Sequence, residues 1–521
     1  MTLNQTITIG TDGTCLDEVS AVRHGAAVRL GAGARAAMEA GRRRVEDLLR
    51  DARPVYGINT GFGRLAATVI SAGDLSSLQV NLLRSHACGT GDPLPRDVVR
   101  VTLFLRASSL GRGRSGIRPE TVEMLLSFLN GDILPVIPSK GSLGASGDLA
   151  PLAHMCLPLM GEGRCMAGEE TIGGGEALAR LGLEPLRPTS KEGLALINGT
   201  PVMTAIASCA LLDARNILSA ADTAAAVTLE ALLGTGTAFD EELLSLRPHP
   251  GALETGANLN RMIEGSEIVL SHRDCPRVQD SYSLRCTPQV HGATRDAMRY
   301  IGETLAIELS SATDNPLMLE DGSFLSGGNF HGQPVALASD HLALAAAELG
   351  SISERRMERL LNPDLSGLPA FLSPEPGLNS GLMIAQYTAA SLVSENKVLV
   401  HPASCDSISV SGAQEDHVSM GTTAARQAAE VVANVRRVVA TELFCGFQAH
   451  RFVGRGKPGR GTGRALEMIS SVAKPLDGDR EFGADIDAVE GLIESGAFTE
   501  LLETLEKGRG LARSGAPASQ G

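Results

Sequence analysis

Gly141-Ser-Leu-Gly-Ala-Ser-Gly-Asp-Leu-Ala-Pro-Leu-Ala-His154 is the most informative stretch of the chain. Its glycines and small residues predict a tight turn, and the apolar run that follows predicts a helix at 149–160. As a purely structural element, the turn would cap that helix through Ser146 or Asp148. The order Ala-Ser-Gly within the turn also permits a chemical interpretation.

That interpretation is cyclisation of the backbone at Ala145-Ser146-Gly147. If Ala145 and Gly147 are pressed together, the Gly147 nitrogen can attack the Ala145 carbonyl carbon and close a five-membered ring. Loss of two waters, one of them from the Ser146 side chain, then leaves an exocyclic methylidene group. Glycine suits the attacking position because it lacks Cβ and tolerates strained backbone angles. The turn therefore has the residues needed to make an electrophile.

The rest of the chain reads as a soluble, mainly helical protein. It has 521 residues, of which 43% are hydrophobic and 20% charged, so it can bury more than one core. Long Ala- and Leu-rich segments predict a bundle of long helices, and they lie at about 204–236, 292–312, 334–361, 381–398 and 418–444. We therefore predict a mainly α fold with a long-helix bundle core.

Three regions are expected along the chain. Residues 1–203 form a mixed N-terminal domain that carries the cyclising turn and a lid loop, and residues 204–513 form the long-helix core domain. Residues 514–521 form a disordered tail. The Gly-rich basic segment 454–464 is predicted to be a flexible loop.

Charge and cysteine content narrow the possible partners. Lys and Arg total 46 against 60 Asp and Glu, which gives a net charge of -14 and argues against a nucleic-acid or anionic-membrane surface. The nine cysteines are scattered without a Cys-x-x-Cys pair, which indicates a reduced compartment rather than disulfides or zinc. The N-terminus shows no secretory signal pattern. We expect a cytoplasmic protein with a small-molecule partner and no metal.

Two common functional motifs, for dinucleotide binding and for zinc proteases, are not supported by the sequence. Segments 111–116 and 454–459 match Gly-x-Gly-x-x-Gly, but neither follows a convincing strand in a βαβ unit. The sequence also lacks His-Glu-x-x-His. Dinucleotide and zincin-type metal sites are therefore not predicted.

Other polar motifs stand out in this aliphatic chain. The segment Tyr56–Gly63 is a Gly-rich loop with a phenol, and the chain has only four Tyr and no Trp. Asn198 precedes a long apolar segment, where it would be a helix N-cap in a purely structural interpretation. The segment Gln279–Arg285 is dense in polar groups, and Arg285 offers a fork for a bidentate carboxylate contact.

Together these motifs resemble the aromatic amino acid lyase family, from about residue 8 to residue 506. In that family Ala-Ser-Gly becomes methylidene-imidazolone (MIO), an electrophilic prosthetic group. The resemblance implies a carbon–nitrogen lyase that releases ammonia from an amino acid, with no metal or nucleotide cofactor. It also implies a homotetramer whose active sites are built from several subunits.

The resemblance assigns roles to matching residues. Tyr56 would be the base that removes the substrate β-proton, partly as phenolate, on a mobile lid. Asn198 and Arg285 would hold the substrate carboxylate, and Tyr282 and Gln279 would hydrogen-bond on the MIO side.

Two further motifs match the family. Phe330, in Ser326-Gly-Gly-Asn-Phe-His-Gly, would pack beside the prosthetic group and the substrate, although an aromatic residue alone would usually be core. Glu415, in Gln414-Glu-Asp-His-Val-Ser-Met420, would be an active-site carboxylate, with a helix-start carboxylate as the structural alternative.

The side-chain pocket resembles that of family members acting on histidine. Asn81-Leu-Leu-Arg-Ser-His86 and Gly381-Leu-Met-Ile-Ala-Gln386 carry this likeness. His86 and Glu415 would hydrogen-bond an imidazole, with Met383 packed beside it. The expected reaction converts L-histidine to trans-urocanate and ammonia, the first step of histidine degradation.

Departures and alternatives remain open. Pro201 stands where such members usually have Gln, and residues 408–413 read Ile-Ser-Val-Ser-Gly-Ala instead of Ile-Pro-Thr-Ser-Ala-Asn. A histidine at position 86 can also bind a phenol, so tyrosine or phenylalanine ammonia-lyase or aminomutase activity is the alternative. The fumarase–aspartase class would need a Gly-Ser-Ser-x-Met-Pro-x-Lys-x-Asn-like loop, which is missing. A non-catalytic helical scaffold would follow if the ring never formed.

Overall fold

The computed structural model describes residues 6–50, 55–61, 63–65, 67–273 and 277–514. Helices dominate these residues, and the few strands are two to four residues long. The mainly α fold predicted from the sequence is confirmed. The predicted disordered tail lies outside the described residues except for Ser514, which ends the last helix.

The strands form small separate sheets. A parallel pair joins β1 to β2, β3 pairs with β5, β4-β6-β7 is antiparallel, and β8 pairs with β9. Their bounds are β1 Thr6–Ile9, β2 Ala27–Leu30, β3 Thr90–Pro93, β4 Ile133–Pro135, β5 Pro138–Lys140, β6 Arg164–Ala167, β7 Glu170–Gly173, β8 Leu317–Met318 and β9 Phe324–Leu325.

Helices of moderate length fill the first 200 residues. They are α1 Leu16–Arg23, α2 Ala32–Arg50, α3 Leu75–His86, α4 Arg96–Gly111, α5 Pro119–Asn130, α6 Leu149–Cys156, α7 Gly174–Leu181 and α8 Glu192–Ile197. The predicted helix at 149–160 is α6 followed by a short 3-10 turn at Leu157–Met160. Helix α4 is the central one, because nearly all of its residues are buried.

After residue 200 the helices lengthen, as the Ala- and Leu-rich segments predict. The later helices are α9 Pro201–Ala231, α10 Glu241–Ser245, α11 Pro250–Met262, α12 Glu267–Leu270, α13 Tyr282–Arg285, α14 Thr287–Leu309, α15 Gln333–Leu361, α16 Pro363–Ser366, α17 Met383–Leu399, α18 Gly421–Val453, α19 Arg460–Val472, α20 Gly483–Glu494 and α21 Ala497–Ser514. Proline opens α9 at a position where its missing N–H costs nothing.

Small residues let the long helices pack closely. Ala220, Ala221 and Ala224 of α9 are fully buried, and a Cβ atom on Gly446 of α18 would lie 2.7 Å from a Val227 methyl carbon. By length and apolar composition α9 and α15 would each be able to cross a membrane. However, 78% and 67% of their most apolar windows are buried within the protein. These are the properties of core helices.

The chain divides into two compact units. Unit 1 holds Met1–Ala210, Ile301–Asp340 and Pro402–Ala429, and unit 2 holds Leu211–Tyr300, His341–His401 and Glu430–Gly521. The sequence predicted one helical domain over residues 204–513, whereas the compact units alternate along the chain. The difference arises because segments 301–340 and 402–429 carry loops that belong to the same unit as the N-terminal residues. A helix-forming composition alone does not show which residues such loops pack with.

The predicted flexible loop at 454–464 is held in place within unit 2. The Gly459 N–H donates to Oε1 of Glu230 at 2.8 Å, and the Lys457 N–H donates to Oε2 of Glu267 at 3.0 Å. Helix α19 begins at Arg460, inside the predicted loop. The loop is therefore shorter than predicted, and a distant, fully buried carboxylate, Glu230, supplies an acceptor for its backbone.

Candidate active site

The Ala-Ser-Gly turn lies in unit 1 and is pressed against a second glycine turn. Gly147 has a φ of +75° and forms an isolated bridge with Gly199, whose φ is +144°. A Cβ atom on Gly147 would lie 2.0 Å from the Gly199 carbonyl oxygen. No other residue fits there, so the sequence has glycine at both contact points because the two backbones touch.

Asp148 fixes the turn to the start of α9. Its Oδ2 accepts the N–H groups of Val202 and Met203 at 2.9 Å each, and its Oδ1 accepts the hydroxyls of Thr422 at 2.6 Å and Ser142 at 3.0 Å. Burial raises the pKa of Asp148, and these hydrogen bonds oppose the rise. Asp148 thus caps α9 from outside the helix, a role that the local sequence did not predict.

Asn198 contacts the turn directly. It ends α8 rather than capping α9, so the N-cap alternative is wrong. Its Nδ2 donates to the Ser146 carbonyl oxygen at 2.8 Å and to Ser146 Oγ at 3.3 Å. Asn198 is buried, and its Oδ1 finds no partner in the part of the chain that the structure describes. This amide can polarise the Ser146 carbonyl and still accept one more hydrogen bond.

A cavity of about 640 Å³ opens beside Ser146, entirely within unit 1. Tyr56, His86 and Glu415 also line it, so four of the predicted site residues meet here. The other wall residues are mainly apolar, among them Leu65, Ile70, Leu78, Leu82, Leu149, Leu194 and Ile197. A volume of this size suits a small aromatic molecule.

A smaller cavity of about 250 Å³ reaches the turn as well. Ala145, Ser146 and Gly147 line it together with Cys88 and Val410. His86 and Glu415 line both cavities. The two spaces therefore meet at the residues expected to carry the chemistry.

Tyr56 projects its phenol into the larger cavity. The Gly63 N–H donates to the Tyr56 hydroxyl oxygen at 3.3 Å. Burial raises the pKa of Tyr56, and the negative charges of Glu415 and Asp314 raise it further, while the Gly63 contact opposes them. Burial and nearby carboxylates favour the neutral phenol in this arrangement, so the partly ionised form of Tyr56 stays a prediction.

His86 is held in one orientation at the end of α3. The Ser85 hydroxyl lies 3.2 Å from the Leu82 carbonyl oxygen, to which it can donate, and 3.1 Å from His86 Nδ1. When it donates to Leu82 it accepts from the Nδ1–H, and Nε2 is then left as an acceptor. Burial lowers the pKa of His86, which keeps the ring neutral. A neutral imidazole that offers Nε2 can accept an N–H or O–H from a ligand.

Glu415 is presented by a four-residue turn. Val410 and Glu415 exchange backbone hydrogen bonds of 2.9 and 3.3 Å around Ser411, Gly412 and Ala413, which all have positive φ. Burial raises the pKa of Glu415. Ser411 also lines the cavity. Glu415 is thus not a helix-start carboxylate, because α18 begins only at Gly421.

Phe330 is half-buried on a loop beside the turn. Two residues further on, the Gly332 N–H approaches the Gly144 carbonyl at 3.5 Å. Phe330 is not among the described residues that line either cavity. Its predicted contact with a substrate therefore stays a prediction.

The remaining predicted site residues belong to unit 2. Tyr282 is 71% exposed, Gln279 is exposed, and the Arg285 guanidinium carbon lies 4.7 Å from the centre of the Tyr282 ring. Arg285 Nε is buried without a hydrogen-bond partner in the described part of unit 2. Met383 begins α17 and is half-buried. Buried Asp280 anchors this segment by accepting the Thr235 N–H at 2.8 Å.

No group of three or more His, Cys, Asp or Glu side chains is arranged to hold a metal among the residues that the structure describes. Sequence reasoning overlooked Ser142 within the turn segment, and Thr422 and Arg106, which support the turn from distant parts of the chain. Arg106 lies in α4 and Thr422 in α18, where nothing in the local sequence marks them. Only the three-dimensional contacts reveal their role.

Comparisons with known proteins agree with this geometry. The profile of a family described as aromatic amino acid lyase matches residues 14–471. A protein named histidine ammonia-lyase from Symbiobacterium thermophilum is 53% identical over 502 residues, which cover 96% of this chain and 99% of that protein. Another of that name from Deinococcus radiodurans is 51% identical over 490 residues, 94% of this chain and 93% of the relative.

Solved structures share the whole fold. The crystal structure of histidine ammonia-lyase from Trypanosoma cruzi matches with a TM-score of 0.89 and 41% identity, and covers 96% of each chain. Tyrosine aminomutase from Streptomyces globisporus matches with a TM-score of 0.91 and 35% identity, over 96% of this chain and 99% of the other. Similar folds therefore serve proteins named for two different amino acids.

Proposed function

This chain belongs to the aromatic amino acid lyase family, and we propose that it is a carbon–nitrogen lyase that converts L-histidine to trans-urocanate and ammonia. Relatives about 50% identical over nearly the whole chain are named for this reaction. The observation that carries the proposal is the cavity in which Ser146, Tyr56, His86 and Glu415 meet. His86 and Glu415 would recognise an imidazole, and Ser146 and Tyr56 would take part in the reaction.

The residues present fit an MIO group at 145–147. Gly147 is held in a strained left-handed conformation with no room for Cβ, and Asn198 already donates to the carbonyl oxygen of Ser146 that would remain on the ring. When formed, the group supplies an electrophilic carbon for the substrate amine, which makes nitrogen a better leaving group. Asn198 would polarise that electrophile through the same hydrogen bond.

The other residues of the cavity orient the substrate and move its proton. His86 Nε2 would accept an N–H from the substrate ring. Glu415 would accept the second N–H when the ring is an imidazolium and would balance its charge. Tyr56 takes the β-proton, which it can do only as phenolate. Because the pKa of Tyr56 is raised, the reactive fraction of the enzyme increases as the pH rises towards that pKa.

The carboxylate and amine ends of the substrate need residues from unit 2. We propose a cytoplasmic homotetramer in which Gln279, Tyr282 and Arg285 of one copy serve the cavity of another. Support comes from the exposure of Tyr282 and from the unpartnered Nε of Arg285, a guanidinium suited to a bidentate carboxylate contact. Phe330 and Met383 would contact the substrate's aromatic ring.

Tyrosine is the second candidate substrate, because a neutral His86 that accepts through Nε2 can also take a phenol O–H, and because tyrosine aminomutases share the fold. The test is incubation of the purified protein with L-histidine, L-tyrosine and L-phenylalanine separately, with ammonia release and product absorbance followed together. Urocanate from histidine is the expected result. Coumarate or a β-amino acid from tyrosine instead would overturn the substrate assignment but keep the family chemistry.

A further inference from the structure

Arg106 is a fully buried cation for which the reaction just described has no use. It lies on α4, and its Nη2 donates to the Ala195 carbonyl of α8. Its Nε and Nη1 have no hydrogen-bond partner among the residues that the structure describes. Unpaired guanidinium nitrogens at complete burial are costly, so their retention calls for a physical reason.

The contact of Arg106 with Gly199 gives that reason. A Cβ atom on Gly199 would lie 2.0 Å from the Thr313 carbonyl oxygen and 2.7 Å from Arg106 Nη1. On its opposite side, Gly199 bridges to Gly147 and accepts the Asp148 N–H at 2.7 Å. Gly199 is therefore enclosed between Arg106 and Thr313 on one side and the Ala-Ser-Gly turn on the other.

Arg106 forms no direct ion pair among the residues that the structure describes. Asp314, a carboxylate close enough to act on Arg106, already pairs with buried Lys191 at 2.8 Å. Asp148 also lies within electrostatic range. Burial lowers the pKa of Arg106 and these carboxylates raise it, but a guanidinium stays protonated in proteins. The region behind Gly199 thus holds two buried cations, Arg106 and Lys191, and two buried carboxylates, of which Asp314 pairs with Lys191 and Asp148 accepts hydrogen bonds from the start of α9.

We propose that Arg106 is a positioning residue for closure of the Ala145–Gly147 ring, because it supports Gly199 against Gly147 and places a fixed positive charge behind the turn. The inference rests on the proposed MIO chemistry. In that closure the Gly147 nitrogen lone pair forms the new bond to the Ala145 carbon, and the carbonyl π electrons move to oxygen. The Gly147 amide proton moves to that oxygen, which leaves as water with the Ser146 amide proton. The Ser146 hydroxyl then leaves as the second water with the Ser146 α-proton.

Two features of this closure favour a cation in this place. The first step puts negative charge on the Ala145 oxygen, and a fixed cation behind the turn favours the development of such charge. The same step requires the Gly147 nitrogen to approach the Ala145 carbonyl carbon. Gly199 can press Gly147 into that position only if Gly199 is itself held in place from behind. No oxidant is needed, because the net change is the loss of two waters.

The test measures ring closure itself rather than turnover. Arg106→Gln keeps an N–H for the Ala195 carbonyl but removes the charge, and Arg106→Lys keeps the charge but loses the planar fork. The matched control is Arg100→Gln, on the same helix, since Arg100 is also buried and bonds to the Val22 and Leu129 carbonyls far from the turn. The readout is the intact mass of soluble, folded full-length protein at fixed times after synthesis.

We expect the wild-type protein and Arg100→Gln to lose about 36 Da completely, as two waters require. In Arg106→Gln the loss should be at least about 10-fold slower, with Arg106→Lys in between. Closure of Arg106→Gln at the wild-type rate would overturn the inference. If Arg106→Gln does not fold, Arg106→Met, which also removes the charge, takes its place, and closure at the wild-type rate there would be equally contrary. Absence of the mass loss in the wild-type protein would instead remove the proposed function.

Discussion

Two buried polar clusters, one in each unit, differ in how completely their polar atoms are hydrogen-bonded. The turn cluster in unit 1 consists of Asp148, Gly147, Asn198, Gly199 and Arg106. It contains two glycine backbones in direct contact and keeps unpaired polar atoms on Asn198 and Arg106. It is a strained arrangement in which the hydrogen bonds are incomplete.

The bundle cluster in unit 2 consists of Asp222, His291, Arg356 and Glu442, all fully buried on long helices. Arg356 donates to both oxygens of Glu442 at 2.5 and 2.8 Å, and its Nη1 lies 3.3 Å from His291 Nε2. His291 Nδ1 lies 2.8 Å from Asp222. No side-chain atom of these four residues is left without a partner in the described part of the chain.

The contrast indicates that the bundle cluster serves stability, whereas the turn cluster serves chemistry. A saturated ionic network fixes how helices align, because each buried charge has a partner that no other alignment would supply. A site that must change covalently and then bind a ligand retains strain and unmatched groups. Each prediction below acts on one cluster, or on the cavity beside the turn cluster, and should leave the other cluster intact.

The largest effect is expected from Ser146→Ala in the turn cluster. Without the hydroxyl no methylidene can form, so the mass loss should be incomplete and turnover of L-histidine should fall by roughly 10³-fold or more. Stability should change little, because Ser146 Oγ receives only a 3.3 Å contact from Asn198. Intact mass and ammonia release measure this together.

The control for that variant is Ser142→Ala. Ser142 bonds to Asp148 and Thr422 beside the turn but supplies no atom to the ring. It should still lose both waters. Full activity in Ser146→Ala would remove the ring chemistry altogether.

The next largest effect is expected in the bundle cluster, from Arg356→Met. This change leaves the Glu442 carboxylate buried without its cation, which costs about 3–5 kcal/mol of unfolding free energy. The double variant Arg356→Met, Glu442→Met should recover most of this loss, because no lone charge remains. Denaturant unfolding of the three proteins measures both values.

The mass loss in folded Arg356→Met should be complete. An equally large destabilisation in the double variant would show that the pair itself, rather than the unpaired charge, stabilises unit 2. Incomplete ring closure in a folded variant would contradict the independence of the two clusters.

Glu415→Gln acts on the cavity beside the turn cluster. The amide keeps the shape of the side chain but loses the charge, so kcat/KM for L-histidine should fall about 10- to 100-fold while the ring still forms. Steady-state kinetics with intact mass measure this. An unchanged kcat/KM would show that Glu415 does not contact the substrate.

The sequence predicted the bundle better than it predicted the turn's surroundings. The long Ala- and Leu-rich segments identified α9, α14, α15, α17 and α18, because apolar periodicity over many residues outweighs local exceptions. The Ala-Ser-Gly turn was recognised by its residue types. That Tyr56, His86 and Glu415 share a cavity with Ser146 agrees with the family resemblance.

Sequence reasoning could not find contacts between distant segments. Asp148 caps α9 through Val202 and Met203, although its nearest helix is α6. Glu230 holds a glycine-rich loop that looked flexible. A single sequence carries no sign of such pairings, since each side chain is unremarkable in its own segment.

A smaller effect is expected from pH, through His291. Burial lowers the pKa of His291 below the ordinary value near 6.5, so the unfolded chain binds a proton that the folded chain does not. Stability is therefore lost as the pH falls below about 6.5, by at most about 1.4 kcal/mol per pH unit for one histidine. In His291→Gln this contribution should disappear.

The measurement is the unfolding free energy of both proteins at several pH values between neutral and mildly acidic. Buried His450 is also kept neutral, so some pH dependence should persist in the variant. A slope identical to that of the wild-type protein would mean that His291 titrates alike in the folded and unfolded states.

The smallest effect is expected at Ala413, in the turn that presents Glu415. Its φ of +65° is left-handed, which costs an alanine about 1 kcal/mol that glycine avoids and asparagine reduces. Ala413→Asn or Ala413→Gly should therefore hold Glu415 in place more often and lower KM for L-histidine, by up to about 5-fold.

The control is Ala413→Val, which should raise KM, because β-branched residues tolerate positive φ least. If all three variants share the wild-type KM, the turn around Ala413 is not strained in solution. The strain of the turn cluster would then be confined to that cluster and would not include the loop that carries Glu415.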